Sequence, residues 1–186
     1  MKLLLHTCCA PCSVECVDTL REQGMDITAF WYNPNIHPYK EYEARRDTLI
    51  EYAKSIDLPL LMQDEYGLRK FISALQNDFV GRCTTCYQMR FEAAAKCAAE
   101  NGFEQFTSTL FISPYQHFEL MKSAAQDAAQ KYHIHFYEYD FRPLFRAGQN
   151  RVRAMNLYMQ KYCGCVFSEE DRYLGGKKKK TAKKIE

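Results

Sequence analysis

Short apolar runs alternate with stretches of helical periodicity along most of this chain, and that alternation is what most restricts its fold. Residues 2–6 (KLLLH) read as a buried strand. Pro11 then opens a helix with Val14, Val17 and Leu20 on one face, stopped at Gly24. Residues 26–32 (DITAFWY) form a second strand, broken by Asn33-Pro34-Asn35. Residues 39–56 are helical, with Tyr42, Leu49 and Ala53 spaced for one face. A third strand is expected at 59–63, a helix at 67–77, and an Ala-rich helix at 86–100 ended by Asn101-Gly102. Strands at 104–109 and 133–139 follow, with helices at 115–131 and 150–161. Strand–helix alternation of this kind predicts an α/β fold: a parallel sheet sandwiched by helices, with right-handed crossovers. In such sheets ligands bind beyond the carboxyl ends of the strands. The residues at those ends are Thr7-Cys8-Cys9, Asn33-Pro34-Asn35, Asp64, Thr107-Ser108-Thr109 and Asp140.

At 186 residues and 47% apolar content the chain is long enough for one packed domain and too apolar to be disordered. The domain is expected to span 1–174, followed from Gly175 by a flexible Lys-rich tail at 175–186. Residues 177–186 hold six Lys and one Glu, so the tail carries +5 of a formal net charge of +2 and leaves −3 on the body. Such an arm acts either as a solubility tag or as a phosphate-attracting segment. Only three Leu lie between Lys2 and His6, too few for a signal peptide's apolar core, and no run suffices for a membrane span. A cytoplasmic protein is expected, in which patterned cysteines signal metal or redox chemistry more often than structural bridges.

Nine cysteines are present. Cys16 and Cys97 fall inside helical stretches and read as small buried hydrophobes. The other seven form three groups at element ends: Cys8, Cys9 and Cys12 in C-C-A-P-C, Cys83 and Cys86 in C-T-T-C, and Cys163 and Cys165 in C-G-C. Thiols at helix N-termini favour the thiolate, the form that binds metal. Zinc and an iron–sulfur cluster both accept cysteine ligands. Seven candidates exceed the four ligands of one centre, which leaves room for a second metal or a redox pair, and Cys163-Gly164-Cys165 suits the latter.

Several segments together resemble one known family. They are His6 to Cys12 (HTCCAPC), Trp31 to Pro38 (WYNPNIHP), Arg82 to Arg90 (RCTTCYQMR), Thr107 to Gln116 (TSTLFISPYQ), Asp140 to Arg142 (DFR) and Tyr162 to Ser168 (YCGCVFS). Over roughly residues 2–174 the chain is similar to the cobalamin-independent epoxyqueuosine reductases of the QueH type. The resemblance implies a fold similar to the adenine nucleotide α-hydrolase superfamily. It implies reduction of epoxyqueuosine to queuosine at the wobble position of the tRNA anticodon, the last step of queuosine synthesis. It implies a [4Fe-4S] cluster on Cys8, Cys9, Cys83 and Cys86, and a redox-active pair at Cys163 and Cys165. Cys12 is the candidate ligand for a second metal ion, iron. An electron donor, unidentified by the sequence, is required.

Loss of the epoxide oxygen as water consumes two electrons and two protons, so a proton donor is needed as well. Tyr87, His6, His37 and Asp140 are candidates, with Tyr87 and Asp140 carried forward, because His6 at the end of an apolar strand reads as a core histidine. For tRNA, arginines and aromatic rings beside the pocket are expected to hold phosphates and stack an unpaired base. Arg45, Arg46, Arg82, Arg90, Arg142, Arg146, Arg151 and Arg153 are available, with Tyr39, Tyr42 and Tyr115 as rings, and Arg82, Arg90 and Arg142 are favoured. ATP is not expected: the turn after the first strand has no glycine, and Pro11 lacks an amide donor. A zinc-binding RNA module and a general thiol–disulfide oxidoreductase are the competing readings.

Overall fold

The computed structural model describes the backbone of residues 1–182 and the side chains of residues 1–175. Five parallel strands form one sheet: β1 (Lys2–His6), β2 (Asp26–Trp31), β3 (Leu60–Met62), β4 (Gln105–Ser108) and β5 (His135–Phe136), in the order β3-β2-β1-β4-β5. β1 is central, in register Leu4↔Thr28 with β2 and Leu4↔Phe106 with β4. Leu3, Leu4 and Leu5 are all fully buried, as a strand covered on both faces requires.

The helices are α1 (Ala10–Glu22), α2 (Tyr39–Ser55), α3 (Leu68–Ala74), α4 (Arg82–Glu100), α5 (Phe118–Tyr132), α6 (Phe145–Ala154) and α7 (Val166–Ala182). The chain winds outward from β1 to β3, then returns across β1 to β4 and β5. With right-handed crossovers, that reversal puts α1 and α2 on one face and α4 and α5 on the other. α6 packs on α1, and α4 packs on α5. The reversal also opens a crevice between the carboxyl ends of β1 and β4, the switch point at which such sheets bind ligands.

Local signals explain most element bounds. Pro11 lies in the first turn of α1, and Gly24 turns the chain out of it with φ +75°. Two expectations need correction. Helicity near the C-terminal end begins at Phe145 and ends at Ala154, not at 150–161, because Asn156 adopts positive φ. The Cys163 loop is followed by a further helix, α7, whose start at Val166 carries few apolar residues to announce it. α7 continues through Gly175-Gly176 to Ala182. The lysine side chains of the expected tail lie outside the described residues.

Candidate active site

Each of the three cysteine groups sits at the N-terminal end of a helix. Cys9 is the extended N-cap of α1, with Cys8 before it and Cys12 in its first turn. Cys83 and Cys86 lie in the first turns of α4, and Cys165 immediately precedes α7. Unpaired N–H groups and the helix dipole at such ends favour negative charge.

The sulfur atoms of Cys8, Cys9 and Cys12 all lie within 4.8 Å of one another, with Cys8 and Cys9 3.6 Å apart. Hydrogen bonds from Cys12 and then Cys9 hold the Cys8 thiol well below its usual pKa, so Cys8 is the first of the trio to take negative charge. Contact with that charge pushes the Cys12 thiol up, and burial does the same for Cys9. The Cys8 backbone N–H donates to Thr109 Oγ1 at 3.2 Å, which ties the end of β1 to the end of β4.

A cavity of about 800 Å³ opens over this trio. Cys8, Cys12, Cys83 and Cys163 face into it. Cys86 and Cys165 are buried behind, packed with Phe71 and Leu75, and burial pushes their thiols up to about 12 and about 11. Cys163 is exposed and its thiol lies 2.9 Å from Ser168 Oγ. All nine cysteines are free thiols, so Cys163 and Cys165 are not joined.

The remaining wall is cationic. Arg45, Arg82, Arg146, Arg153, Lys161 and Arg172 line the cavity, and among the described residues no Asp or Glu does. Arg82 pairs with Asp171 at 2.7 Å, and Arg45 with Glu41 at 2.6 Å. For the other four, no carboxylate lies within 4.0 Å among the described residues. Arg146, Gln149, Asn150 and Arg153 have the spacing of one face of α6. Tyr115, 82% exposed, stands edge-on to Phe145 at the mouth.

The cysteine loop is pinned from behind. Arg45, 2% exposed, donates to the carbonyls of Tyr162 and Cys163 at 2.9 and 3.0 Å. The Tyr162 hydroxyl donates to the His37 carbonyl at 2.5 Å, and the His37 N–H to the Gly164 carbonyl at 2.8 Å. Gly164 has φ +118°, and a Cβ there would lie 2.9 Å from Ile36 Cγ1. The Trp31-to-Pro38 segment thus supports the Cys163 loop.

The expected acids and RNA contacts separate clearly. Tyr87 lines the cavity, with its hydroxyl donating to Gln116 Oε1 at 2.6 Å and accepting the His117 N–H. Burial raises its pKa, so it keeps its proton at neutral pH. Asp140 does not line the cavity; it is held by Arg142 at 2.7 Å, which keeps its carboxyl ionised and a poor proton donor. Arg142 is engaged in that pair and stacked over Phe118, also away from the cavity. Arg90 is 2% exposed and points at the cysteines, not at solvent. His6 is buried between Ser108 Oγ and the Tyr32 carbonyl, a core histidine as expected. The sequence reading missed Lys161, Arg172 and Gln116; the arginine-rich stretch at 146–153 was the available signal for α6.

Thiol-only donors suit a soft metal or an iron–sulfur group. One buried polar atom nearby supports such an occupant: Arg90 Nε has no acceptor among the described residues. The residues present therefore fit a thiolate-ligated metal group. Cys12, whose place was open in the sequence, belongs to the tight trio, whereas Cys83 and Cys86 do not join it within 4.8 Å.

The sheet order and the crevice at its switch point define an α/β-sandwich protein, a parallel sheet covered by helices on both faces. A solved structure, that of a predicted subunit of tRNA methyltransferase from Methanocaldococcus jannaschii, superposes with a TM-score of 0.55 at 12% identity, covering 82% of this chain and 74% of that one. The family model "Epoxyqueuosine reductase QueH" matches residues 3–171. Proteins so named include those of Acinetobacter baylyi, 41% identical over 91% of this chain and 81% of the relative, and Dehalococcoides mccartyi, 34% identical over 92% and 94%. A third, from Thermotoga maritima, is 31% identical over 91% of each chain. The chain belongs to the epoxyqueuosine reductase QueH family. No helix among the described residues is long and apolar enough to cross a membrane.

Proposed function

We propose that this protein reduces epoxyqueuosine to queuosine in the anticodon of tRNA. The observation that carries the reading beyond family membership is one cavity with thiols at its floor and cations around its walls, with no carboxylate among the described residues that line it. Although the body has an acidic balance, four cations without a carboxylate partner among the described residues, Arg146, Arg153, Lys161 and Arg172, line this cavity, where an RNA backbone would approach. The cavity is large enough for one modified base. An unstacked wobble nucleotide would enter it, with Tyr115 offering a ring at the mouth.

Cys8, Cys9, Cys83 and Cys86 are proposed to hold a [4Fe-4S] cluster, with Cys12 available to a second iron ion. When bound, such a group supplies one-electron chemistry and Lewis acidity at the cavity floor. The chain's own residues supply the rest. The apolar wall of Leu110 and Phe145 limits water around the substrate. Tyr87, kept protonated by burial, is placed to give a proton to the leaving oxygen, and Gln116 and the His117 N–H orient its hydroxyl. Oxidation of the Cys163–Cys165 dithiol to a disulfide would release two electrons and two protons. That matches what loss of the epoxide oxygen as water consumes, and a separate reductant must then restore the dithiol. ATP has no part in this reading.

Anaerobic purification, iron and sulfide analysis, and an assay on tRNA carrying epoxyqueuosine test the proposal together. Iron with acid-labile sulfide and conversion to queuosine are expected. Colourless protein with one tightly held zinc and no conversion would replace it with a zinc-binding RNA module.

A further inference from the structure

Two arginines, Arg45 and Arg90, are buried to the same degree, each 2% exposed. Arg45 has the carboxylate of Glu41 at 2.6 Å. Arg90 has none within 4.0 Å among the described residues. Its Nη2 donates to the neutral amide oxygen of Asn33 at 2.7 Å, its Nη1 approaches Cys86 Sγ at 3.7 Å, and its Nε has no acceptor. Asn33 is itself fixed by donating to the Thr7 carbonyl at 2.9 Å, next to Cys8. The guanidinium is thus held between the end of β1 and the start of α4, the two segments that present Cys8, Cys9, Cys83 and Cys86.

A buried cation with no anion is costly, and a fold keeps one only if something compensates it. Guanidinium stays protonated at any working pH, so it cannot escape by becoming neutral. The atoms within its reach that can carry negative charge are cysteine sulfurs. Metal ligation makes those sulfurs thiolates.

We infer that Arg90 is the counter-charge of the thiolate-ligated centre and sets how readily that centre takes up an electron. Reduction adds negative charge beside a fixed positive one, so Arg90 favours the reduced state and raises the reduction potential; its N–H donation to Cys86 sulfur acts in the same direction. The inference rests on the metal-centre part of the proposed function, not on the tRNA reaction.

Arg90→Met and Arg90→Lys test it against wild type with two readouts. The first is the midpoint potential of anaerobically reconstituted protein, titrated by absorbance. Arg90→Met is expected to shift it to lower potential, and Arg90→Lys to hold it near wild type. The second is the urea midpoint of metal-free and metal-loaded protein. Arg90→Met is expected to leave the metal-free midpoint unchanged or raised, because an uncompensated charge has gone, and to lower the metal-loaded one. An unchanged potential, equal destabilisation of both forms, or wild type that takes up no metal overturns the inference. In the equal-destabilisation case Arg90 only ties Asn33 to α4. A shifted potential without conversion of epoxyqueuosine tRNA would overturn the substrate reading and leave Arg90's role standing.

Discussion

Replacing Arg146, Arg153, Lys161 and Arg172 together by glutamine removes the cavity's four cations that have no carboxylate partner, without cutting an ion pair or changing a thiol. The magnitude follows from counterion release. Each cation that neutralises a phosphate of single-stranded RNA contributes about −0.7 to the slope of log affinity against log salt. Four contacts account for about 3 of the wild-type slope, so between roughly 50 and 200 mM salt the wild type should lose about fifty-fold more affinity than the variant. The assay is fluorescence anisotropy of a labelled anticodon stem-loop titrated at several salt concentrations, with the variant's metal content as a control for the fold. Lys131→Gln, at a pair with Glu92 away from the cavity, should leave the slope unchanged. The C-terminal lysines are common to all three proteins, so they do not alter the difference between slopes. Equal slopes for the quadruple variant and wild type would refute the placement of the RNA backbone at this rim.

Tyr87→Phe should lower kcat by about 10²-fold or more with metal content unchanged, measured in single-turnover conversion, since only the proton at the cavity is removed. Gly164→Ala should destabilise the protein by about 1–3 kcal/mol in urea unfolding, because alanine is strained at φ +118° and its Cβ meets Ile36. His37 is buried, which lowers its imidazole pKa from 6.5 to about 4. The unfolded chain therefore binds a proton that the folded chain resists between those values. Its contribution to stability is complete above about pH 6.5 and is lost as pH falls through about 4, and His37→Gln should flatten the fall of Tm over that range.

Much of the fold was legible because hydrophobic periodicity reports burial directly. The Leu3-Leu4-Leu5 run and the Pro11 and Gly24 punctuation placed β1 and α1, and with them the cysteines at the switch point. The grouping of seven cysteines was equally visible, since each group lies at an element end. What sequence could not carry was the direction in which a charge points. Arg82 and Arg90 bracket the same pair of cysteines, yet one reaches the cavity mouth and the other turns inward to Asn33. Asp140 looked like an acid at a strand end, but Arg142 two residues on neutralises it locally. α7 was missed because its start lacks a long apolar stripe, and its helix N-terminus is what brings Cys165 into line with the other two groups.

The three helix starts that share the cavity floor come from distant parts of the chain, and this has a consequence for biosynthesis. Translation delivers them in order: Cys8, Cys9 and Cys12 first, the α4 pair only after β2, α2, β3 and α3 have been made, and Cys163 and Cys165 after β5 and α6. A nascent chain therefore carries three thiols close together in sequence well before the wall that shelters them exists. Metal delivered early would meet an incomplete set of sulfurs able to accept wrong ions, whereas delivery after α7 has emerged meets the complete one. The topology thus favours loading as the closing step of maturation, after the last cysteine loop has been clamped by Arg45.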